Sequence, residues 1–407
     1  MSLNETPRAE RLHIAIYGRR NSGKSSLINR LTGQEIALVS DAPGTTTDPV
    51  YKSMELHPIG PVVIIDTAGF DDEGALGDLR VEKTREVMDK TDLAIMVMDG
   101  YQSCEDDFEY ERRWQDELDA RDIPVILAMS KADIESTAEL NLRTAFGEVA
   151  DKAVPVSSVT GEGIERLRDE ISKAVPEDMY RRRILSGMVD DGSLVVLVMP
   201  QDIQAPKGRL ILPQVQTIRE LLDKKCTTVA TTADSFDRTI QALKWTPDLI
   251  ITDSQCFKMM YDSMPAACRL TSFSVLFAAY KGDIDTFAKG ASQLDDMTEN
   301  SRVLIAEACT HVPLEEDIGT VKIPNLLRRK FGEGLRIDNV RGNDFPDEAG
   351  LREYDLIIHC GACMFNRAHV MSRIAAAEKA GVPITNYGIA IAKLNGILDK
   401  IEMPDNG

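Results

Sequence analysis

The sequence predicts an α/β chain of three domains, each built on a largely parallel sheet. Two observations carry this. Short apolar runs recur along the chain and are separated by amphipathic stretches, the pattern of strands buried on both faces beneath helices. The chain also has 407 residues, more than a single core usually organises, so two or three domains are expected. The rhythm breaks at the polar, proline-bearing stretch Lys173 to Arg183 and again near Met264-Pro265, which divides the chain into 1–174, 175–265 and 266–407.

In the first part, strands are expected at LHIAIY (12–17), VVIID (62–66), LAIMVMD (93–99) and IPVILAM (123–129). The second part offers SLVVLVM (193–199), TTVAT (227–231) and DLIITD (248–253), with Pro213 suited to the first turn of the helix VQTIRELLDK. The third offers SRVLIAEA (301–308), DLIIHC (355–360) and VPITNY (382–387), the last two separated by the helical RAHVMSRIAAAEKAG.

Lys and Arg number 47 against 66 Asp and Glu, a net charge of −19, which repels a phosphate backbone and argues against a nucleic-acid partner. The N-terminal residues lack a signal-peptide pattern and no apolar run is long enough to span a membrane, so a cytoplasmic protein is expected. Seven cysteines without regular spacing do not read as a disulfide framework, and the isolated Cys104, Cys226, Cys256 and Cys268 read as small buried apolar residues.

Chemistry enters at Gly18-Arg19-Arg20-Asn21-Ser22-Gly23-Lys24-Ser25, which satisfies G-x-x-x-x-G-K-[ST] between a strand and the helix-like SSLINRLTG that includes Ser26. Its glycines let backbone N–H groups turn inward around a phosphate, at a helix N-terminus of positive potential. Lys24 is placed to reach the β- and γ-phosphate oxygens and Ser25 to bind Mg²⁺. Asp66-Thr67-Ala68-Gly69 ends a buried strand, where Asp66 can hold Mg²⁺ through water and Gly69 can sense a γ-phosphate. Thr45 to Thr47 lie where a switch threonine belongs, with Thr46 the favoured residue for Mg²⁺. Lys131 and Asp133 follow a strand end; a carboxylate there pairs with the guanine N1–H and N2–H₂, which adenine does not offer. Ser157 and Ser158 complete the base pocket, so the nucleotide is GTP.

These residues resemble the translation-factor-class GTPases of the Era-like and tRNA-modifying subgroup, over about 160 residues counted from the motifs. Ser130 stands where that group has Asn, a shorter side chain expected to weaken the brace between base and phosphate loop. Phe70 occupies the place of a water-orienting glutamine, so slow turnover is expected. Asn21 matches the asparagine that ligates K⁺ in potassium-activated relatives, although an Asn that merely stabilises a turn is the plainer alternative.

Cys309-Thr310-His311 and His359-Cys360-Gly361-Ala362-Cys363 both fall at the carboxyl ends of expected strands, where α/β sheets place their ligands. Three thiolates with nearby imidazoles suit either Zn²⁺ or an iron–sulfur cluster. The full pattern, a GTPase domain, APKGRLILPQVQTIRELLD (205–223) and Cys-x-His…His-Cys-x-x-Cys, resembles the HydF family of FeFe-hydrogenase maturation GTPases across the whole chain. That resemblance implies a P-loop GTPase domain, a middle dimerisation domain that makes a homodimer, and a C-terminal domain whose 4Fe-4S cluster is held by Cys309, Cys360 and Cys363, with His311 or His359 as a candidate fourth ligand. It further implies a scaffold that takes a transient di-iron precursor from two radical-SAM maturases and hands it to the apo-hydrogenase. The competing reading is an Era-like RNA- or ribosome-associated assembly GTPase with a structural zinc site.

Overall fold

The computed structural model describes residues 6–33, 49–69, 75–99, 108–134, 146–175, 179, 182–200, 210–308 and 317–405. The chain forms two compact units, Met1–Glu177 and Asp178–Gly407. Their junction falls within the polar stretch expected to be a linker.

The first unit runs β1 (Leu12–Tyr17), α1 (Lys24–Thr32), β2 (Val50–Leu56), β3 (Gly60–Asp66), α2 (Ala75–Met88), β4 (Leu93–Asp99), α3 (Glu109–Asp119), β5 (Val125–Ser130), β6 (Val154–Pro155) and α4 (Ile164–Ala174). The sheet order is β2-β3-β1-β4-β5-β6. The four expected apolar runs are its central, parallel strands. Sequence reasoning missed β2, which pairs antiparallel with β3 at the sheet edge. Its Val50, Lys52, Ser53 and Glu55 face solvent, so the strand never needed an apolar run.

The second unit begins with β7 (Leu194–Val198), α5 (Leu212–Asp223), β8 (Thr227–Thr231), α6 (Phe236–Ala242), β9 (Leu249–Thr252), α7 (Phe257–Ser263), β10 (Arg269–Ser272) and α8 (Phe273–Lys281). It continues with α9 (Ile284–Ala291), β11 (Arg302–Glu307), α10 (Ile323–Phe331), β12 (Arg336–Arg341), α11 (Glu348–Leu351), β13 (Leu356–His359), α12 (Arg367–Ala380), β14 (Ile384–Asn386) and α13 (Tyr387–Leu394). Two four-stranded parallel sheets result, β10-β9-β7-β8 and β12-β11-β13-β14.

The boundary expected at 265 does not separate these sheets. Strand β10 lies beyond it and pairs with β9, Arg269 against Leu249 through Ser272 against Thr252. Its sequence RLTS is too short to register as an apolar run, and Met264-Pro265 looked like a break. One core also joins the two sheets, with Val196, Ile250 and Leu270 of the first packed into the same cluster as Val303, Ile305 and Ile358 of the second.

Helix α8 lies between two cores. Val275, Ala278 and Ala279 enter the shared cluster, while Phe273, Leu276 and Phe277 pack on the other face of the β7 sheet. A helix apolar all round belongs inside a protein, and each large side chain so buried contributes about 1.5–3 kcal/mol. Ser272 caps it, accepting from the Val275 N–H at 3.2 Å. Cys226, Cys256 and Cys268 are buried in these cores, in keeping with their reading as small apolar residues. Cys104 lies outside the described residues.

Candidate functional site

The phosphate loop leaves β1 at Gly18, whose φ of +153° accompanies a close approach: a Cβ there would lie 2.4 Å from the Val97 carbonyl oxygen. Gly23, with φ +95°, is the N-cap of α1, so both motif glycines meet a backbone requirement. Lys24 is buried and donates to the carbonyls of Gly18 at 2.9 Å and Arg19 at 2.8 Å, which bends its ammonium back over the loop. Ser22 Oγ is buried and has no hydrogen-bond partner among the described residues, an orphan polar atom in the loop that fits an arriving phosphate. Ser26 is half-buried in the first turn of α1. Asn21 is exposed with φ +59°, a conformation that asparagine tolerates better than most residues, so the turn alone accounts for it.

Ser25 Oγ donates to Asp66 Oδ2 at 3.0 Å, so the two oxygen donors expected at Mg²⁺ lie side by side. Burial pushes the Asp66 carboxyl above its usual range, opposed by the Lys24 charge and the Ser25 hydrogen bond. Gly69 is buried just beyond, and Thr67 Oγ1 anchors this stretch to the Ile16 carbonyl at 2.7 Å. Thr46 and Phe70 lie outside the described residues.

At the base end, Ser130 does brace the loop. Its buried hydroxyl lies 2.6 Å from the Ser22 carbonyl oxygen and 3.0 Å from that of Met98, with one proton shared between them. Lys131, with φ +58°, pairs with Asp99 at 2.5 Å. Asp133 is exposed, three residues beyond the end of β5. Ser157 Oγ is buried and accepts from the Thr160 N–H at 3.0 Å, and Ser158 follows it, half-buried. One further tie escaped sequence reasoning. Arg19 within the loop is paired at 2.8 Å with Glu111, a carboxylate only 1 % exposed on α3. The clue was an acidic residue on the apolar face of an amphipathic helix.

In the second unit, β11 and β13 are parallel neighbours with Ala306 opposite His359. Their carboxyl ends are therefore adjacent, as expected for the two cysteine groups. Cys360 Sγ accepts N–H hydrogen bonds from Ala308 at 3.1 Å and Ala362 at 3.4 Å. Ala308 immediately precedes Cys309, while Cys309 and His311 themselves lie outside the described residues. Ala362 adopts φ +51°, and this turns its N–H back toward the sulfur. Burial raises the Cys360 thiol to about 11, against the pull of the Ala308 N–H and the Arg373 charge. Burial also raises Cys363, with the Lys281 charge opposing it.

His359 is 1 % exposed and both its ring nitrogens are engaged. Arg373 can only donate, so its contact at 3.0 Å makes Nε2 the acceptor; Nδ1 then carries the proton and donates to the Cys360 carbonyl at 2.8 Å. Burial and the guanidinium push the imidazole down to about 3. The expectation of His359 as a fourth ligand runs against this arrangement, in which no ring lone pair is left for a metal. Among the described residues no group of three or more His, Cys, Asp or Glu gathers into a metal site. The donor chemistry of the loop nonetheless fits an anionic cluster: two thiols, N–H groups aimed at sulfur, and Arg373 and Lys281 buried nearby.

Taken together, the first unit is a P-loop GTPase domain, here followed by two parallel α/β sheets with a cysteine loop at adjacent strand ends. The family model described as 50S ribosome-binding GTPase matches residues 13–131. Hydrogen maturase F dimerization and tetramerization domains match residues 184–282 and 285–403. The chain belongs to the hydrogen maturase F, or HydF, family, and its last two segments are those of a homo-oligomer.

Among curated proteins, the tRNA modification GTPase MnmE of Heliobacterium modesticaldum is 36% identical over 166 residues, 40% of this chain and 34% of that protein. MnmE of Koribacter versatilis is 31% identical over 240 residues, 56% of this chain and 49% of that protein. GTPase Der of Mesorhizobium japonicum is 31% identical over 196 residues, covering 47% and 40% respectively. The chain thus spans between a third and a half of these relatives. Solved structures that resemble it include Aquifex aeolicus Era bound to GDP and aluminium fluoride, at 18% identity and TM-score 0.35 over 54% of this chain and 92% of that one. The G domain of the T. maritima FeoB iron transporter matches at 26% identity and TM-score 0.29, over 40% of this chain and 99% of that one. No helix among the described residues is long and apolar enough to cross a membrane.

Proposed function

We propose that the protein is a cytoplasmic FeFe-hydrogenase maturation scaffold. It binds a 4Fe-4S cluster through Cys309, Cys360 and Cys363, holds a di-iron precursor made with two radical-SAM maturases, and passes it to the apo-hydrogenase. A slow, K⁺-stimulated GTPase acts as its switch. The adjacency of the β11 and β13 ends carries this reading, because it brings Cys360 to the backbone that leads into Cys309.

In the GTPase, Lys24 and the loop N–H groups orient the β- and γ-phosphates, Ser25, Thr46 and Asp66 hold Mg²⁺, and Asp133 reads guanine. Asn21 is the candidate K⁺ ligand, where a cation supplies the positive charge that other GTPases take from an arginine finger. In the cysteine loop a cluster, when bound, supplies an iron that can exchange its fourth ligand. The protein's role there is to hold Cys360 and Cys363, both half-buried, at the strand end. As a homodimer or larger assembly it has a suitable surface on α5, where Ile211, Val215 and Leu222 form an exposed apolar stripe.

Anaerobic purification tests the scaffold reading. A brown protein with iron and sulfide that loses both on Cys→Ala substitution at Cys309, Cys360 or Cys363 supports it. A colourless protein containing zinc overturns it. Lys24→Ala and Ser25→Ala should abolish GTP hydrolysis and leave the iron in place.

A further inference from the structure

The cysteine loop is fastened at both ends of a single helix that belongs to the neighbouring segment. Helix α8 ends the stretch matched as the dimerization domain, whereas Cys360 and Cys363 lie in the stretch matched as the tetramerization domain. In the first turn of α8, Ser274 Oγ donates to Asn386 Oδ1 at 2.9 Å. Asn386 Nδ2 in turn donates to the Cys360 carbonyl at 3.4 Å. The Gly388 N–H donates to Asn386 Oδ1 at 2.8 Å and to Ser274 Oγ at 3.1 Å, so the amide oxygen accepts from both the helix hydroxyl and the Gly388 backbone. The helix start lies against the loop itself, because a Cβ on Gly361 would sit 3.7 Å from Ser274 Oγ.

At the last turn of α8, Lys281 is 2 % exposed and donates from Nζ to the Phe365 carbonyl at 2.6 Å, two residues beyond Cys363. Arg367 Nη1 also donates to the Gly282 carbonyl, just past the helix end. The two fastenings are therefore independent, and α8 is itself immobilised between two apolar cores.

We propose that Ser274 and Lys281 are positioning residues for Cys360 and Cys363 respectively, so that a helix of the dimerization segment sets the geometry of the cysteine loop. The inference rests on the cluster reading for its purpose but not for its test. A side chain that locks a ligand-bearing loop acts through the ligand's backbone, and loss of such support weakens metal retention without removing a ligand.

The full chain is compared with Ser274→Ala, Lys281→Met and the conservative Lys281→Arg. In the apoprotein, backbone hydrogen exchange is read segment by segment. Ser274→Ala should accelerate exchange at residues 360–362 and 386–388, and Lys281→Met at residues 363–366, each by about five- to tenfold, the scale of one lost hydrogen bond. Lys281→Arg, which keeps a buried cationic donor, should retain protection. In the reconstituted protein the first two variants should lose iron to a chelator faster and change the EPR line shape of the reduced cluster, with all three cysteines present.

Unchanged exchange in both variants would overturn the proposal. So would acceleration spread evenly over the second unit, or equal loss in Lys281→Arg. A wild-type chain that takes up no cluster would remove the scaffold reading, while the exchange data on the apoprotein would still decide this one.

Discussion

Ser130→Ala removes the hydroxyl that connects the base end of the nucleotide site to its phosphate loop. The group has one proton and two carbonyl acceptors, Ser22 at 2.6 Å and Met98 at 3.0 Å, so one net hydrogen bond is lost. Ser22 and Ser130 are each 2 % exposed, which leaves little room for water to replace it. An acceptor left unpaired in such a place costs about 1–3 kcal/mol. The Ser22 carbonyl belongs to the loop that cups the phosphates, and binding requires that loop to keep its shape. The cost therefore falls on the bound state, weakening nucleotide by roughly five- to 150-fold at 1.4 kcal/mol per decade. GDP and GTP should weaken equally, because Ser22 supports the loop without reading the γ-phosphate. Titration with a fluorescent guanine nucleotide at fixed Mg²⁺ measures it, with a thermal melt alongside to separate binding from folding. A dissociation constant within about twofold of wild type, or a loss confined to GTP, would refute the reasoning.

GTP hydrolysis should be faster in KCl than in NaCl of equal concentration; equal rates would leave Asn21 as a turn residue only. Asp133→Asn should shift preference from guanine toward xanthine nucleotides, since the amide reverses one hydrogen bond to the base edge, and competition binding with both nucleotides reads the change. His359→Gln keeps an acceptor for Arg373 and a donor for the Cys360 carbonyl. The variant should therefore retain most of its iron, and pulsed EPR of the wild-type cluster should show no strongly coupled imidazole nitrogen; a strong coupling that vanishes in the variant would make His359 a ligand after all.

The apolar runs LHIAIY, LAIMVMD and TTVAT are β1, β4 and β8 to the residue, because strands in a parallel order must satisfy a simple rule of continuous burial or β-branching. The strands that escaped, β2, β6, β10 and β12, are sheet-edge strands by order. RIDNVR in β12 meets water along much of its length, so its composition carries no run to recognise. The phosphate loop was legible because its chemistry is confined to consecutive residues, and the pairing of Ser25 with Asp66 followed from two local motifs. What sequence could not give was the second tier of contacts. Ser130 with Ser22, Arg19 with Glu111 and Arg373 with His359 join residues 108, 92 and 14 positions apart, and only the packed chain selects them. His359 shows the same limit: a histidine beside a cysteine suggests a ligand, and only the packed chain shows an arginine at its second nitrogen.

The apolar cluster shared by the β7 and β11 sheets bears on how such a chain can be inherited. Each of the two segments past residue 178 presents to the other a face lined by residues such as Ile250, Val303 and Ile358. A gene rearrangement that parted them would expose that face on both products, a patch prone to association and degradation. Substitutions on one side must then be answered on the other, since interiors at crystal-like density feel the change of even one methylene. The two segments are expected to vary together in step.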